Sequence, residues 1–227
     1  GYSVLIYDQR GHGESDGTRA FINDFSEYTK DLVSVYQAWK DEIKGPLFLL
    51  GHSMGGLVVI RFLETLADQV PVKTAILSSP LLGMAVEVPW YKRIAAEWVV
   101  KFKPEFALPS GIDPSGISHD PAIVRQYAQD PKVLKMATAG WYIATTKALE
   151  LAFSEMGNLK TKLIFMVAGD DLLASAVKTK TFFEKLPGDY PKVSQWYKGW
   201  YHEIFNEINR WEAHEKLIEF LDQEVRS

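Results

Sequence analysis

Three groups of residues in this chain have the types and the order that nucleophilic catalysis by serine requires. A serine hydroxyl becomes a useful nucleophile when a base takes its proton, and that base is usually a histidine whose tautomer is fixed by a carboxylate. Ser53 comes first along the chain, the adjacent carboxylates Asp170 and Asp171 follow, and His202 comes last. The order predicts acyl transfer through a covalent acyl-enzyme.

The serine lies in the run Gly51-His52-Ser53-Met54-Gly55-Gly56, between an apolar stretch at 46–50 and an apolar-periodic stretch at 57–63. A strand, a tight turn and a helix form the context in which G-x-S-x-G makes a nucleophile elbow, which holds the serine at the top of a parallel sheet. Glycine at positions 51 and 55 tolerates the sharp backbone and the close approach of strand and helix. We therefore predict an exposed, strained serine.

The acid and the base each have competitors. Asp170 and Asp171 both follow a strongly apolar stretch, and because adjacent side chains point in different directions only one of them can orient a histidine; we favour Asp171. His202 lies after the last predicted strand and before the last predicted helix, which makes it the preferred base. The other histidines lie in an early turn, the elbow, the middle of the chain and the last helix: His12, His52, His119 and His214.

Composition excludes several other kinds of site. The 227 residues are 47% hydrophobic and 24% charged, which is ordinary for one globular domain with an insertion. The net charge of −4 provides no basic surface for nucleic acid, and the absence of cysteine excludes disulfides, zinc–thiolate sites and a cysteine nucleophile. No apolar run approaches the roughly 20 residues that span a bilayer. We expect no metal and no cofactor.

The elements that must position these residues alternate along the chain. Strands are predicted at 2–7, 46–50, 72–79, 162–168 and 193–197. Helices are predicted from Asn23 or Asp24 onward with an apolar face that runs to Ile43, after the elbow, and near 175–186 and 207–225. Continuous apolar strands that alternate with amphipathic helices favour an α/β fold, in which helices flank a mostly parallel sheet on both faces.

Residues 83–158 break this alternation, since they contain several prolines, short helical patterns and no clear strand. We predict a mainly helical cap inserted into a core made of residues 1–82 and 159–227. Its best-marked helix carries an apolar stripe that includes Trp90, Ile94 and Trp98. The stripe lines an acyl pocket, packs the cap onto the sheet, or does both, because a pocket wall is also part of a core. Basic residues near it also suit peripheral contact with a lipid surface.

Four motifs, in order, resemble the monoacylglycerol lipase/lysophospholipase branch of the α/β-hydrolases. They are Asp8-Gln9-Arg10-Gly11-His12-Gly13-Glu14-Ser15, the elbow, Ala168-Gly169-Asp170-Asp171, and Tyr201-His202-Glu203-Ile204-Phe205-Asn206-Glu207. The likeness covers nearly the whole chain, including Ser118-His119-Asp120-Pro121 in the cap. It implies a cofactor-independent serine hydrolase that cleaves one acyl ester from a glycerol-type lipid. It also implies Asp171 as the acid and His202 as the base.

The start of the chain departs from this resemblance. The family carries earlier strands and a His-Gly loop before the position of Gly1, and that loop donates one of two oxyanion-hole N–H groups. Only the donor next to the nucleophile, the N–H of Met54, is expected here. We therefore expect that Gly1 is not the natural start and that an N-terminal segment, which could be a separate partner chain, is missing from this chain. A genuinely minimal hydrolase is the alternative. The expected location is cytoplasmic or membrane-peripheral.

Rival functions differ in what they require. Gly11-His12-Gly13 lacks the third glycine of a dinucleotide fingerprint, and Asn206 replaces the second histidine of a zincin motif that begins at His202. A non-catalytic binding protein on the same fold remains an alternative, because one fold hosts many functions. A peptidase or an acyltransferase remains another, because the same triad serves any acyl transfer.

Overall fold

A computed structural model describes residues 1–85 and 89–227, with the exception of the Lys92 side chain. The strands in chain order are β1 (Leu47–His52), β2 (Val72–Ser78), β3 (Ala107–Pro109), β4 (Met136–Thr138), β5 (Lys162–Ala168) and β6 (Lys192–Tyr197). The α-helices are α1 (Ser26–Trp39), α2 (Met54–Thr65), α3 (Trp90–Phe102), α4 (Pro121–Gln129), α5 (Ala139–Ser154), α6 (Ala176–Lys185) and α7 (Trp211–Arg226). Short 3₁₀ helices span Ala67–Gln69, Pro114–Gly116, Met156–Asn158 and Ile204–Asn206.

Four parallel strands form the central sheet in the order β1-β2-β5-β6. The register aligns their carboxyl ends, since His52 lies opposite Ser78 and Ala168 lies opposite Tyr197. Ser53 therefore follows β1, the two aspartates follow β5, and the loop of His202 follows β6. Parallel strands place such residues at one edge of the sheet, where open α/β sheets bind their ligands.

Alternate residues of the inner strands β2 and β5 lie in two separate hydrophobic clusters, one on each face of the sheet. Leu77 and Phe165 face a large cluster built with α1, α2, α5 and α6, whereas Ile76 and Met166 face a smaller cluster that contains Phe220 of α7. Because side chains alternate across a strand, a continuous apolar run indicates a sheet covered on both faces. The structure shows the predicted α/β class and this covering.

Two predictions for the first 43 residues are wrong. Residues 2–7 pair with no strand of the described chain, and Val4 and Ile6 are 78% and 85% exposed. A β-prone run becomes a strand only where a neighbouring strand supplies a hydrogen-bonded ladder, and the sequence pattern does not report that neighbour. Asp24 accepts a hydrogen bond from the Ser26 N–H at the start of α1, but the helix ends at Trp39 and does not reach Ile43.

The segment between β2 and β5 contains helices, as expected, and also an antiparallel ribbon that the sequence did not predict. β3 and β4 pair over three residues each, which is too short for a recognisable alternation. Thr138 at the end of β4 caps α5 by accepting a hydrogen bond from the Trp141 N–H. Ala144 and Ala148 of α5 are buried in the large core cluster, which also contains residues of β2 and β5. This part of the segment therefore belongs to the main hydrophobic core. The boundaries of the cap stay a prediction.

Among the helices of residues 1–85 and 89–227, none has the length and apolar character needed to cross a membrane.

Candidate active site

Ser53 has the strained backbone of a nucleophile elbow. It lies between the end of β1 and the start of α2 with φ +52° and ψ −119°, a conformation that non-glycine residues rarely adopt. Backbone hydrogen bonds hold it there: the Ser53 N–H donates to the Ser78 carbonyl at 3.0 Å, and the Leu81 N–H donates to the Ser53 carbonyl at 2.9 Å. Strain of this kind costs on the order of 1–3 kcal/mol and persists where the surroundings enforce it.

The close approach in the elbow that requires glycine is at position 51, as predicted, and at position 56 instead of 55. A Cβ on Gly51 would lie 2.4 Å from the Gly55 carbonyl oxygen, and a Cβ on Gly56 would lie 2.7 Å from Pro80 Cβ. A Cβ on Gly55 would meet only the Gln9 side chain, at 4.0 Å. The prediction for position 55 is therefore wrong, because its Cα faces open space at the start of α2. The close approach falls at positions 51 and 56.

These distances predict opposite effects for two similar substitutions. Gly51→Ala should destabilise the protein by about 1–3 kcal/mol, because the new methyl group meets rigid backbone. Gly55→Ala should leave stability unchanged or raise it by up to about 1 kcal/mol, because alanine favours a helix over glycine. Urea unfolding of the two variants beside the parent measures the difference. Equal loss of stability in both variants would contradict the assigned contacts.

The structure brings Asp171 and His202 together. His202 Nδ1 lies 2.7 Å from Asp171 Oδ2, and the two side chains are 4% and 1% exposed. The other carboxylate oxygen of Asp171 accepts hydrogen bonds from the N–H groups of Leu173 and Ala174 at 2.8 and 2.9 Å. With Nδ1 donating to the carboxylate, Nε2 of the imidazole is left to accept a proton.

Asp170 has a different environment from its neighbour. Its residue is exposed, and its backbone N–H donates to the Trp200 carbonyl at 3.1 Å. In the described part of the chain its carboxylate makes no hydrogen bond. The turn after β5 therefore directs Asp171, and not Asp170, toward His202. The role of Asp171 as the catalytic acid stays a prediction.

His52 links the elbow to the predicted base. Its ring centroid lies 4.7 Å from that of His202, and its Nδ1 lies 3.1 Å from Ser78 Oγ. Burial, together with the neighbouring His202, lowers the pKa of His52 to about 3, so this imidazole stays neutral. A neutral ring adds no repulsion when His202 takes up a proton. From the sequence, His52 was expected only to form part of the elbow backbone, and its ring contact with His202 was not predicted.

The elbow thus contacts the Asp171–His202 pair through the ring of His52, the residue before Ser53. Across residues 1–85 and 89–227, no hydrogen bond joins Ser53 Oγ to the His202 ring. The contact between nucleophile and base stays a prediction.

Met54 connects the elbow to α5. It is the first residue of α2, so its N–H has no acceptor within the helix and is available to an oxyanion. Its sulfur accepts a hydrogen bond from Trp141 Nε1 at 3.3 Å. Trp141 was not among the predicted site residues, because nothing in the local pattern of α5 indicates which side chain meets the elbow.

The apolar stripe of α3 is exposed. Trp90 and Trp98 are 72% and 61% exposed, and Ile94 is also exposed. The interpretation that this stripe packs the cap onto the sheet is therefore wrong, because packed rings would be buried. A role for the three residues in substrate binding stays a prediction.

Comparison with known proteins gives the relationships of the chain. The family model described as Hydrolase_4, serine aminopeptidase S33, matches residues 1–209. Phospholipase YtpA of Bacillus subtilis is 30% identical over 229 residues, which cover 99% of this chain and 86% of that protein. An abhydrolase domain-containing protein of Dictyostelium discoideum is 27% identical over 100% of this chain, which spans only 24% of that relative.

Among solved structures, the monoacylglycerol lipase of Paleococcus ferrophilus superposes with a TM-score of 0.85 at 29% identity, covering 94% of this chain and 80% of that one. The resemblance that the four motifs predicted is confirmed, as is the α/β-hydrolase fold. By its match to the family model over residues 1–209, the chain belongs to the serine aminopeptidase S33 family of serine hydrolases.

Proposed function

We propose that this protein is a carboxylic ester hydrolase that cleaves a monoacylglycerol or a lysophospholipid through Ser53, His202 and Asp171. The observation that carries the proposal is the buried Asp171–His202 hydrogen bond at the sheet edge that also holds the strained elbow of Ser53. Relatives named as a phospholipase and a monoacylglycerol lipase support the lipid ester as the substrate class.

The proposed mechanism has two half-reactions, and His202 acts first as a base and then as an acid in each. His202 removes the proton of Ser53 Oγ as the serine attacks the ester carbonyl, and the Met54 N–H holds the resulting oxyanion. His202 then protonates the departing alcohol, which leaves an acyl-serine. Water, deprotonated by His202, attacks the carbonyl of the acyl-serine. His202 then returns the proton to Ser53 Oγ as the fatty acid leaves, which restores the free serine. Asp171 orients the imidazole and stabilises its charged form throughout.

A peptidase is the second candidate, because the family description itself names an aminopeptidase. The elbow and the triad serve ester and amide substrates alike. The experiment is a panel of monoacylglycerols, lysophospholipids, short p-nitrophenyl esters and aminoacyl p-nitroanilides. We expect the lipid esters to give the highest kcat/KM. Preferential cleavage of the anilides would contradict the proposal and favour the peptidase.

We also propose peripheral contact with a lipid surface through α3. Trp90, Trp98 and Phe102 are exposed along this helix, and Lys101 lies over the Trp98 ring with its Nζ 5.0 Å from the centroid. Exposed aromatic rings beside basic side chains suit the boundary between acyl chains and anionic headgroups. A substrate delivered from that surface would arrive through the cap.

The contact predicts a specific loss of vesicle binding. Trp98→Ala should reduce co-sedimentation with vesicles of phosphatidylcholine and phosphatidylglycerol several-fold, because it removes an exposed apolar ring from the patch. Trp39→Ala is the matched control, since Trp39 is about equally exposed but lies on α1. Equal vesicle binding by the parent and both variants would contradict the proposed contact of α3 with lipid.

A further inference from the structure

Glu207 is a buried carboxylate that the proposed reaction does not use. It follows the short helix Ile204–Asn206, and only 3% of its surface is exposed. One of its oxygens accepts from the Tyr201 N–H at 2.9 Å and lies 2.8 Å from His119 Nδ1. The other accepts from the backbone N–H groups of His119 and Ile208, at 3.2 and 3.1 Å. Both oxygens are thus fully engaged.

These bonds attach the His202 loop to residues 117–119 of the cap segment. Tyr201, just before His202, is held through its N–H by Glu207, and its ring stacks on His119 with centroids 3.7 Å apart. Glu203, just after His202, donates its N–H to the Ile117 carbonyl at 2.8 Å. The backbone is therefore fixed on both sides of the imidazole. Ser118 Oγ donates to the Asn206 carbonyl at 2.9 Å and closes the same junction.

A carboxylate is the group that this junction requires. Burial alone would raise the pKa of Glu207, but the N–H groups of Tyr201 and Ile208 and the two donors of His119 outweigh it and lower the pKa. A glutamine offers one oxygen and one NH₂ group. Whichever way the amide is turned, its NH₂ would face at least one backbone N–H, and at least one of the hydrogen bonds of the junction would be lost.

We infer that Glu207 is a positioning residue that sets the orientation of the His202 imidazole by locking the loop on which it stands to the cap segment. This inference rests on the proposed function, because orientation matters only if His202 is the base. The Asp171 hydrogen bond fixes one ring nitrogen. The Glu207 junction fixes the backbone from which the ring projects, and a displacement of about 1 Å at a reacting group can cost about a hundredfold in rate.

Glu207→Gln tests the inference against Glu224→Gln. Glu224 is also a buried carboxylate of the C-terminal part, but it binds Lys162 and Thr74 and makes no described contact with the His202 loop. Both substitutions should lower stability. Only Glu207→Gln should lower kcat for p-nitrophenyl ester hydrolysis, by about ten- to a hundredfold, while KM stays within about twofold.

A second measurement does not depend on activity. The proton of His202 Nδ1 that is shared with Asp171 should give a low-field ¹H NMR resonance, assigned by its loss in Asp171→Asn. It should shift or broaden in Glu207→Gln and stay in place in Glu224→Gln. If the parent hydrolyses no ester, the proposed function fails while this resonance still reports whether Glu207 holds the imidazole.

His119→Ala covers the case in which Glu207→Gln does not fold. It removes the His119 ring, which contacts Glu207 and stacks on Tyr201, and leaves the hydrogen bond from the Tyr201 N–H to Glu207. We therefore expect kcat to fall several-fold and the resonance to broaden. The inference is overturned if kcat and the resonance are both unchanged in Glu207→Gln and in His119→Ala. If Glu207→Gln does not fold, the same result in His119→Ala alone overturns it. An equal fall in kcat for Glu224→Gln would overturn it as well, because the effect would then follow stability rather than position.

Discussion

Ser53→Ala should lower kcat for ester hydrolysis by about 10⁵- to 10⁶-fold, because no other hydroxyl occupies the elbow and the acyl-enzyme cannot form. The variant should stay folded. The structure holds position 53 through its backbone N–H and carbonyl, and those bonds survive the loss of the hydroxyl. Initial rates on a monoacylglycerol and on p-nitrophenyl butyrate, with unfolding curves for both proteins, measure the two effects separately.

The same variant decides between an enzyme and a binding protein. A fluorophosphonate probe phosphonylates an activated serine with loss of fluoride, so it should label the parent and not Ser53→Ala. Ser34→Ala is the control, since Ser34 lies exposed on α1 and its hydroxyl donates to the Lys30 carbonyl of the same helix. Labelling that persists in Ser53→Ala would place the nucleophile elsewhere. A parent that neither reacts nor hydrolyses esters would favour the binding protein.

The central sheet and the order of Ser53, Asp171 and His202 along the chain were predictable, because short stretches of sequence indicate both the strands and the motifs that follow them. The strands are short and rich in apolar residues, most clearly β5, and each is followed by glycine or a polar residue, which is the pattern of a parallel strand. Once these strands are parallel and adjacent, the residues after them must share one edge. The order of the motifs therefore predicted that the three residues share one sheet edge, and Asp171 and His202 are in contact there. The contact of Ser53 with His202 stays a prediction.

Features that depend on distant partners were not predictable. Residues 2–7 have the composition of a strand but pair with no strand in the part of the chain that the structure describes, because pairing depends on a neighbouring strand and not on propensity alone. The steric requirement at Gly56 comes from Pro80, which is far along the chain. Trp141 against Met54 and Glu207 against His119 are contacts of the same kind. Each is a single side chain whose role appears only when two segments meet.

Asp171→Asn should have the second-largest effect, with kcat lowered by about 10⁴-fold. An asparagine can present its NH₂ group to His202 Nδ1, which favours the tautomer with the proton on Nε2. That nitrogen then cannot accept the proton of Ser53. In this orientation the amide oxygen still accepts from the N–H groups of Leu173 and Ala174, but it is a weaker acceptor than a carboxylate oxygen, so some stability should be lost as well. The rates must therefore be compared at a temperature where both proteins are folded.

Asp170→Asn is the matched control, one residue away on the same turn. Its carboxylate is exposed, and the Asp170 contact that shapes the turn is its backbone N–H on the Trp200 carbonyl, which the substitution keeps. We expect kcat within about twofold of the parent, because a solvated carboxylate contributes little to the orientation of a buried ring. The reverse result, with Asp170→Asn inactive and Asp171→Asn active, would mean that the Asp171–His202 hydrogen bond is not the one used in catalysis. The acid would then have to be sought on the exposed side of the turn.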